Sequence, residues 1–400
     1  MTNKRDSVDW RKLKPGTTSV WAGELEPFPF GATQVPVVHG VTFAYDDVDE
    51  WMKVALGEKE GHIYSRNTNP TVRVFEEKIR VLEGAEASTS FATGMAAISN
   101  TLFTLLSPGQ RVVSIKDTYG GTSKMFLEFL PRFGVDVMLC NTTDHEQIER
   151  EVSKGCQVLY LETPTNPTLK ILDLERLTKA GKSAGATVVA DNTFATPINQ
   201  HPLEFGVDLV VHSATKFLGG HSDAMGGAVC GSKDLVRRIF HFREITGASL
   251  HAMAAYLLVR GMKTLEVRVQ RQNENALELA RFLEHHPKID KVFYPGLETH
   301  PGHEIARRQM KSFGGILSFS LKGSFKEVKT LLEHLRFAHL AASLGSVGTL
   351  AGPPKTTSHV ETSEEERKAL GIPEGLIRYS VGIENVEDLK ADLKLALAAI

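Results

Sequence analysis

From about Asn69 to Gly261, short apolar runs alternate with amphipathic stretches. RVVSI (111–115), CQVLYLE (156–162), ATVVAD (186–191), DLVVH (208–212) and GGAVCG (226–231) are short, apolar and valine-rich, and each is bounded by polar or glycine signals. Such runs read as buried strands. TSKMFLEFLPRF (122–133) and LDLERLTKAGKSAG (172–185) carry helical spacing between them. The alternation predicts an α/β domain with a mainly parallel sheet over 69–262.

The pattern changes near Lys263. TLEVRVQRQNENALELARFLEHHP (264–287) predicts a long helix, GGILSFSL (314–321) a strand, and SFKEVKTLLEHL (324–335) and NVEDLKADLKLALAAI (385–400) two more helices. This is the pattern of a smaller α+β domain over 263–400. TSEEERKAL (362–370) reads as a solvated helix start with Ser363 as N-cap. Residues 1–68 are broken by Pro15, Pro27, Pro29 and Pro36 yet hold Trp10, Trp21 and Trp51. A segment with every tryptophan of the chain predicts an extended arm laid over another surface, such as a neighbouring subunit.

Composition narrows the function. The 400 residues are 42% hydrophobic, enough for a large core, and the formal net charge is −2. That balance supplies no bulk attraction to nucleic acid or to an anionic membrane. Cys140, Cys156 and Cys230 form no CxxC pair, which argues against a disulfide framework and a cysteine zinc site. No run is long enough to span a bilayer and the N-terminus lacks an apolar signal core, so the expected location is cytoplasmic.

The candidate chemistry sits after the strands, where open α/β sheets bind ligands. Lys216 follows 208–212 among Ser213, Thr215 and Gly219, a setting that suits a Schiff-base lysine. Asp191 can pair with a pyridinium nitrogen and keep the ring electron-poor. Ser213 and Thr215 offer hydroxyls to a phosphate, and Gly94 precedes a helix whose first N–H groups favour an anion. Tyr119 can stack on a flat ring. Each residue alone has a commoner structural reading; their conjunction carries the functional one. His212 and His221 lack metal-ligand spacing and read as structural histidines. SATK (213–216) fits a serine acylase S-x-x-K, but the S-D-N and K-T-G partners are missing. AGKS (180–183) has Arg176 where a phosphate-binding loop needs its first glycine.

YSRNTNPT, FATGMAAIS, DTYGGT, LETPTNPT, VADNTFATP, HSATKFLGGHSD, ASLGSVGTL and RYSVGIE occur in that order between Tyr64 and Glu384. They resemble the cystathionine γ-synthase, cystathionine γ-lyase and methionine γ-lyase family of pyridoxal-phosphate enzymes. The resemblance implies an aspartate-aminotransferase-like fold (fold type I) and a homotetramer built from two catalytic dimers. It implies pyridoxal 5'-phosphate as cofactor, bound through Lys216, with Asp191 at the ring nitrogen. It places phosphate contacts on Gly94, Met95, Ser213 and Thr215, and on Tyr64 and Arg66 across a subunit boundary. Tyr119 would stack and help move protons, while Arg378, with Asn166 and Ser343, would hold the substrate carboxylate. The resemblance also implies a small-molecule amino-acid substrate.

Within the family the motifs divide. Gly121 stands where methionine γ-lyases usually have cysteine. YSRNTNPT resembles the sulfhydrylase and methionine γ-lyase form, and ASLG the synthase and cystathionine-lyase form. Gly348 stands where many members carry an acid or another polar residue. The expected activity is γ-replacement on an O-acylated homoserine with a thiol, ahead of γ-elimination to 2-oxobutanoate and ammonia. A catalytically silent scaffold is the reading from another class, and the presence of Lys216, Asp191, Tyr119 and Arg378 speaks against it.

Overall fold

The computed structural model describes residues 8–24, 27–357 and 364–400. Seven strands form the larger sheet: β1 Ala87–Phe91, β2 Arg111–Ile115, β3 Asp136–Cys140, β4 Val158–Glu162, β5 Thr187–Asp191, β6 Leu209–Ser213 and β7 Gly227–Gly231. Their order is β1-β7-β6-β5-β4-β2-β3. β6, β5, β4, β2 and β3 run parallel, and β7 is antiparallel to both its neighbours. The five runs expected as strands are β2, β4, β5, β6 and β7, within two residues at each end. β1 and β3 were not expected. Both are edge strands, and ASTSF is mostly Ser, Thr and Ala, so it carries no apolar signal.

Period-two alternation assigns the faces of this sheet. Leu159, Leu161, Val188 and Val210 join one apolar cluster, while Val158, Tyr160, Val189 and Val211 join another with Ala97 and Ile98. The same alternation puts Glu162, Asp191 and Ser213 on the second face, at the carboxyl ends of β4, β5 and β6. The helix Gly94–Leu105 packs there.

The smaller sheet contains β8 Ile289–Phe293, β9 Ile316–Leu321, β10 His339–Leu340, β11 Leu350–Gly352 and β12 Leu376–Ser380, in the order β10-β11-β12-β9-β8. A separate apolar cluster joins it to the helices Leu265–Glu284, Phe325–His334 and Val386–Ala398. These helices match the three amphipathic stretches. β12 lies between β11 and β9 and is buried throughout.

TSKMFLEFLPRF is less regular than its spacing predicts. An α-turn Gly120–Lys124 passes into a π-turn at Met125–Phe129 and a 3₁₀ turn at Leu130–Phe133. Pro131 has no N–H to give, so regular α-helix cannot continue through it. AGKS lies inside the helix Leu174–Ser183, as its reading requires. The proposed N-cap Ser363 lies outside the described residues. Among those residues no helix is long and apolar enough to cross a membrane.

Candidate active site

Convergence of the strand ends produces a cavity of about 270 Å³. Its wall includes Gly94, Met95, Tyr119, Asn166, Asp191, Ser213, Thr215, Lys216, Ser343 and Arg378. Tyr64 and Arg66 lie elsewhere. Tyr64 pairs with Thr42 in an isolated bridge, the Arg66 guanidinium sits over the Tyr64 ring, and Ser249 Oγ donates to Arg66 O.

Lys216 occupies a turn after β6, where its Nζ donates to Ser343 Oγ at 3.1 Å. No carboxylate pairs with it among the described residues. Burial and the nearby Arg378 cation push its amine down to about 8. An amine so placed is partly neutral near physiological pH and able to act as nucleophile or base.

Arg378 projects from the middle of β12. Its guanidinium donates to Asn166 Oδ1 at 3.1 Å and to Ser343 O at 2.9 Å. Burial lowers its pKa to about 10, because no carboxylate offsets the desolvation. A buried guanidinium held by two neutral acceptors is arranged to receive an anion.

Asp191 ends β5, with Thr193 N donating to Oδ1 at 2.9 Å and Tyr160 Oη to Oδ2 at 3.4 Å. Glu162 is its register partner at the end of β4 and accepts from Tyr119 N at 2.8 Å. Burial pushes both carboxyls up, and the Asp191 charge raises Glu162 further, while the hydrogen bonds from Thr193 hold Asp191 down in part. A cation at Asp191 would relieve that burial. Sequence reasoning missed Glu162, Tyr160, Thr93 and Thr193. The available signal was position, since Glu162 ends a strand run immediately before the TPTNPT loop.

Thr93 caps the helix Gly94–Leu105, its Oγ1 accepting from Ala96 N at 3.0 Å. The first N–H groups of a helix have no intrahelical partner and attract anions. A Cβ added at Gly94 would stand 2.7 Å from Ser213 Cβ and 2.9 Å from its Cα. Glycine therefore lets the helix start and the strand end close on each other. The residues fit pyridoxal phosphate: an anion cradle at Gly94 and Ser213, a buried carboxylate at Asp191 and an unpaired amine at Lys216.

His212 is structural as expected, buried and bonded through Nε2 to Glu83 Oε1 at 2.5 Å. His221 Nδ1 contacts Gly219 O at 2.9 Å. No cluster of metal-ligating side chains occurs among the described residues.

Comparison with known proteins agrees with this geometry. A family model for Cys/Met metabolism PLP-dependent enzymes matches residues 16–398. L-Methionine gamma-lyase of Fusobacterium nucleatum subsp. polymorphum is 45% identical over 396 residues, covering 98% of this chain and 100% of the relative. Cystathionine gamma-synthase 1, chloroplastic, of Arabidopsis thaliana is 39% identical over 388 residues, covering 96% of this chain and 69% of the relative. The crystal structure of cystathionine gamma synthase from Xanthomonas oryzae pv. oryzae in complex with cystathionine superposes with a TM-score of 0.92 at 36% identity, covering 97% of this chain and 98% of that one. The fold is thus the aspartate-aminotransferase-like fold type I that the motifs implied. The chain belongs to the Cys/Met metabolism PLP-dependent enzymes and is a pyridoxal-phosphate enzyme of sulfur amino acid metabolism.

Proposed function

We propose that the protein catalyses γ-replacement, exchanging the acyloxy group of an O-acylated homoserine for a small thiol. Pyridoxal phosphate, when bound, supplies an electron sink that makes the α-proton of the amino acid acidic. The chain's residues do the rest. Arg378, oriented by Asn166, binds the α-carboxylate as a planar fork. Lys216 takes the α-proton once its amine is free, and its pKa near 8 leaves it poised to give that proton back. Ser343 holds that amine on the Arg378 side of the cavity. Tyr119 covers the cavity, its loop fixed by Glu162.

The packing at position 121 carries replacement over methionine elimination. A Cβ at Gly121 would stand 2.9 Å from both Met95 Sδ and Tyr119 Cε1. A thiol side chain there would have to displace the Met95 end or the Tyr119 ring. A second reading, γ-elimination, is supported by the 45% identity to methionine gamma-lyase.

The deciding experiment offers O-acetylhomoserine with sulfide or methanethiol, and separately methionine and cystathionine. Products are read by mass spectrometry and 2-oxobutanoate release. Replacement product at ten times the rate of 2-oxobutanoate is expected; faster 2-oxobutanoate from methionine or cystathionine selects elimination.

Residues 1–68 are proposed as an arm reaching a neighbouring subunit of a homotetramer, with 69–262 and 263–400 as the cofactor and smaller domains. The exposed Val41, Trp51 and Met52 support this, as does the position of Tyr64 and Arg66 outside their own chain's cavity. Mixing inactive Lys216→Ala and Arg66→Ala chains should restore part of the activity, since some sites then receive both intact residues. No recovery after verified subunit exchange refutes the arm.

A further inference from the structure

The helix Leu265–Glu284 contributes nothing to the cavity wall, yet one face of it addresses the backbone of the three segments that carry Lys216, Ser343 and Arg378. Arg268, Gln272 and Asn275 are spaced i, i+4, i+7 and therefore share a face. All three are buried. Arg268 donates to Phe217 O at 2.8 Å and Leu218 O at 3.3 Å, in the turn just after Lys216. Gln272 Nε2 donates to Ser346 O at 2.8 Å, three residues after Ser343. Asn275 Nδ2 donates to Gly382 O at 3.1 Å and Glu384 O at 2.9 Å, in the turn that follows β12 and Arg378.

The three segments are also tied to one another. Val347 N donates to Gly220 O at 2.9 Å, and Ile383 N to Val347 O at 2.9 Å. A Cβ added at Gly220 would meet Arg268 Nη1 at 2.0 Å, so the turn and the guanidinium approach as closely as glycine allows.

Stability alone does not account for this stripe. Arg268 has no carboxylate partner among the described residues, and burial lowers its pKa to about 10. Gln272 Oε1 is buried with no hydrogen-bond partner among the described residues. Desolvating an unneutralised cation and an unpaired carbonyl both disfavour the fold relative to apolar side chains of similar volume. What the polar groups add is direction: each fixes a backbone carbonyl close to a residue of the site.

We infer that Arg268, Gln272 and Asn275 form a positioning stripe that sets Lys216, Ser343 and Arg378 in mutual register from behind the cavity. The inference rests on the proposed roles of Lys216 and Arg378. It predicts a division of effects along the helix. Loosening the Arg268 end frees the Lys216 amine; loosening the Asn275 end frees the carboxylate clamp.

The experiment compares Arg268→Lys, Gln272→Leu and Asn275→Leu, each first shown to keep its fold by circular dichroism and Tm. Competitive amine labelling of the cofactor-free protein, read by peptide mass spectrometry across pH 7–11, reports Lys216 without reference to any reaction. Arg268→Lys should move the labelling midpoint of Lys216 up from about 8 and, on the alkaline plateau where the amine is neutral, label it at least threefold faster. In the loaded enzyme it should lower kcat about tenfold with little change in KM, whereas Asn275→Leu should raise KM about tenfold with a smaller loss in kcat. Gln272→Leu should move both modestly. Unchanged labelling, kcat and KM in all three folded variants, with only Tm altered, would overturn the stripe. Full turnover in Lys216→Ala would refute the role of Lys216 and leave the labelling result to judge the stripe.

Discussion

Two lysines of this chain are depressed to the same value, about 8, for opposite purposes. Lys78 lies in the helix Pro70–Glu83, beneath the N-terminal segment. It is fully buried, donates to Ser19 O at 2.9 Å and Val20 O at 3.0 Å, and stands 3.3 Å from Glu24 Oε1. Glu24 also pairs with Lys263 at 2.7 Å. Lys216 has one neutral hydroxyl and a neighbouring cation. Desolvation is the leading cause of both shifts. The lesson is that a shifted pKa does not identify a reactive lysine. The inventory of partners does: Lys78 is satisfied and ties the N-terminal segment down, and Lys216 is left able to react.

The sharpest break of this comparison is substitution of each lysine. Lys216→Ala should reduce turnover at least a thousandfold and abolish the lysine-bound visible band, with the fold retained. Lys78→Met should keep the band and lose roughly 2–4 kcal/mol of stability, because two carbonyls and a carboxylate lose their donor. Denaturant titration and absorbance together would expose the reverse pattern, which would sink the assignment.

A smaller effect sharpens the energetics. The folded pKa of Lys216 is below its ordinary 10.5, so the unfolded chain binds more protons between about 8 and 10.5. This lysine therefore destabilises the cofactor-free fold fully below pH 8, and the penalty fades as pH rises to 10.5. Lys216→Met should stabilise the cofactor-free protein by about 2–3 kcal/mol at pH 7, and the gain should vanish by pH 10.5. A pH-independent gain would mean that packing, not charge, is responsible.

Gly94→Ala should weaken cofactor retention about tenfold, measured by dialysis and absorbance. Its Cβ would press on Ser213 Cα at 2.9 Å, which cannot yield without moving the end of β6. The smallest effect belongs to Gly121→Cys. It displaces the flexible end of Met95 or the Tyr119 ring and should shift the ratio of elimination to replacement a few-fold.

Much of the parallel sheet was legible because central strands, covered on both faces, are nearly continuous apolar runs. β1 escaped because its Ser and Thr residues resemble a loop until β7 is seen beside it. Lys216, Asp191 and Arg378 could be named from the motifs around them. Glu162 could not, because its meaning comes from register: it lies opposite Asp191 only once β4 pairs with β5.

By itself, the sequence determined the order of the apolar strand runs and amphipathic helices, the family motifs and part of the cavity wall, Lys216, Asp191, Tyr119 and Arg378 among it. Hydrophobic period and turn chemistry are local, so they can be read locally. Tertiary structure alone decided which polar groups meet. Arg268 reaches Phe217, Gln272 reaches Ser346 and Asn275 reaches Gly382 across gaps of 51, 74 and 107 residues. It also decided that Lys78 is neutralised and Lys216 is not. Charge, burial and hydrogen-bond satisfaction are properties of a surrounding volume, and no window along the chain contains that volume.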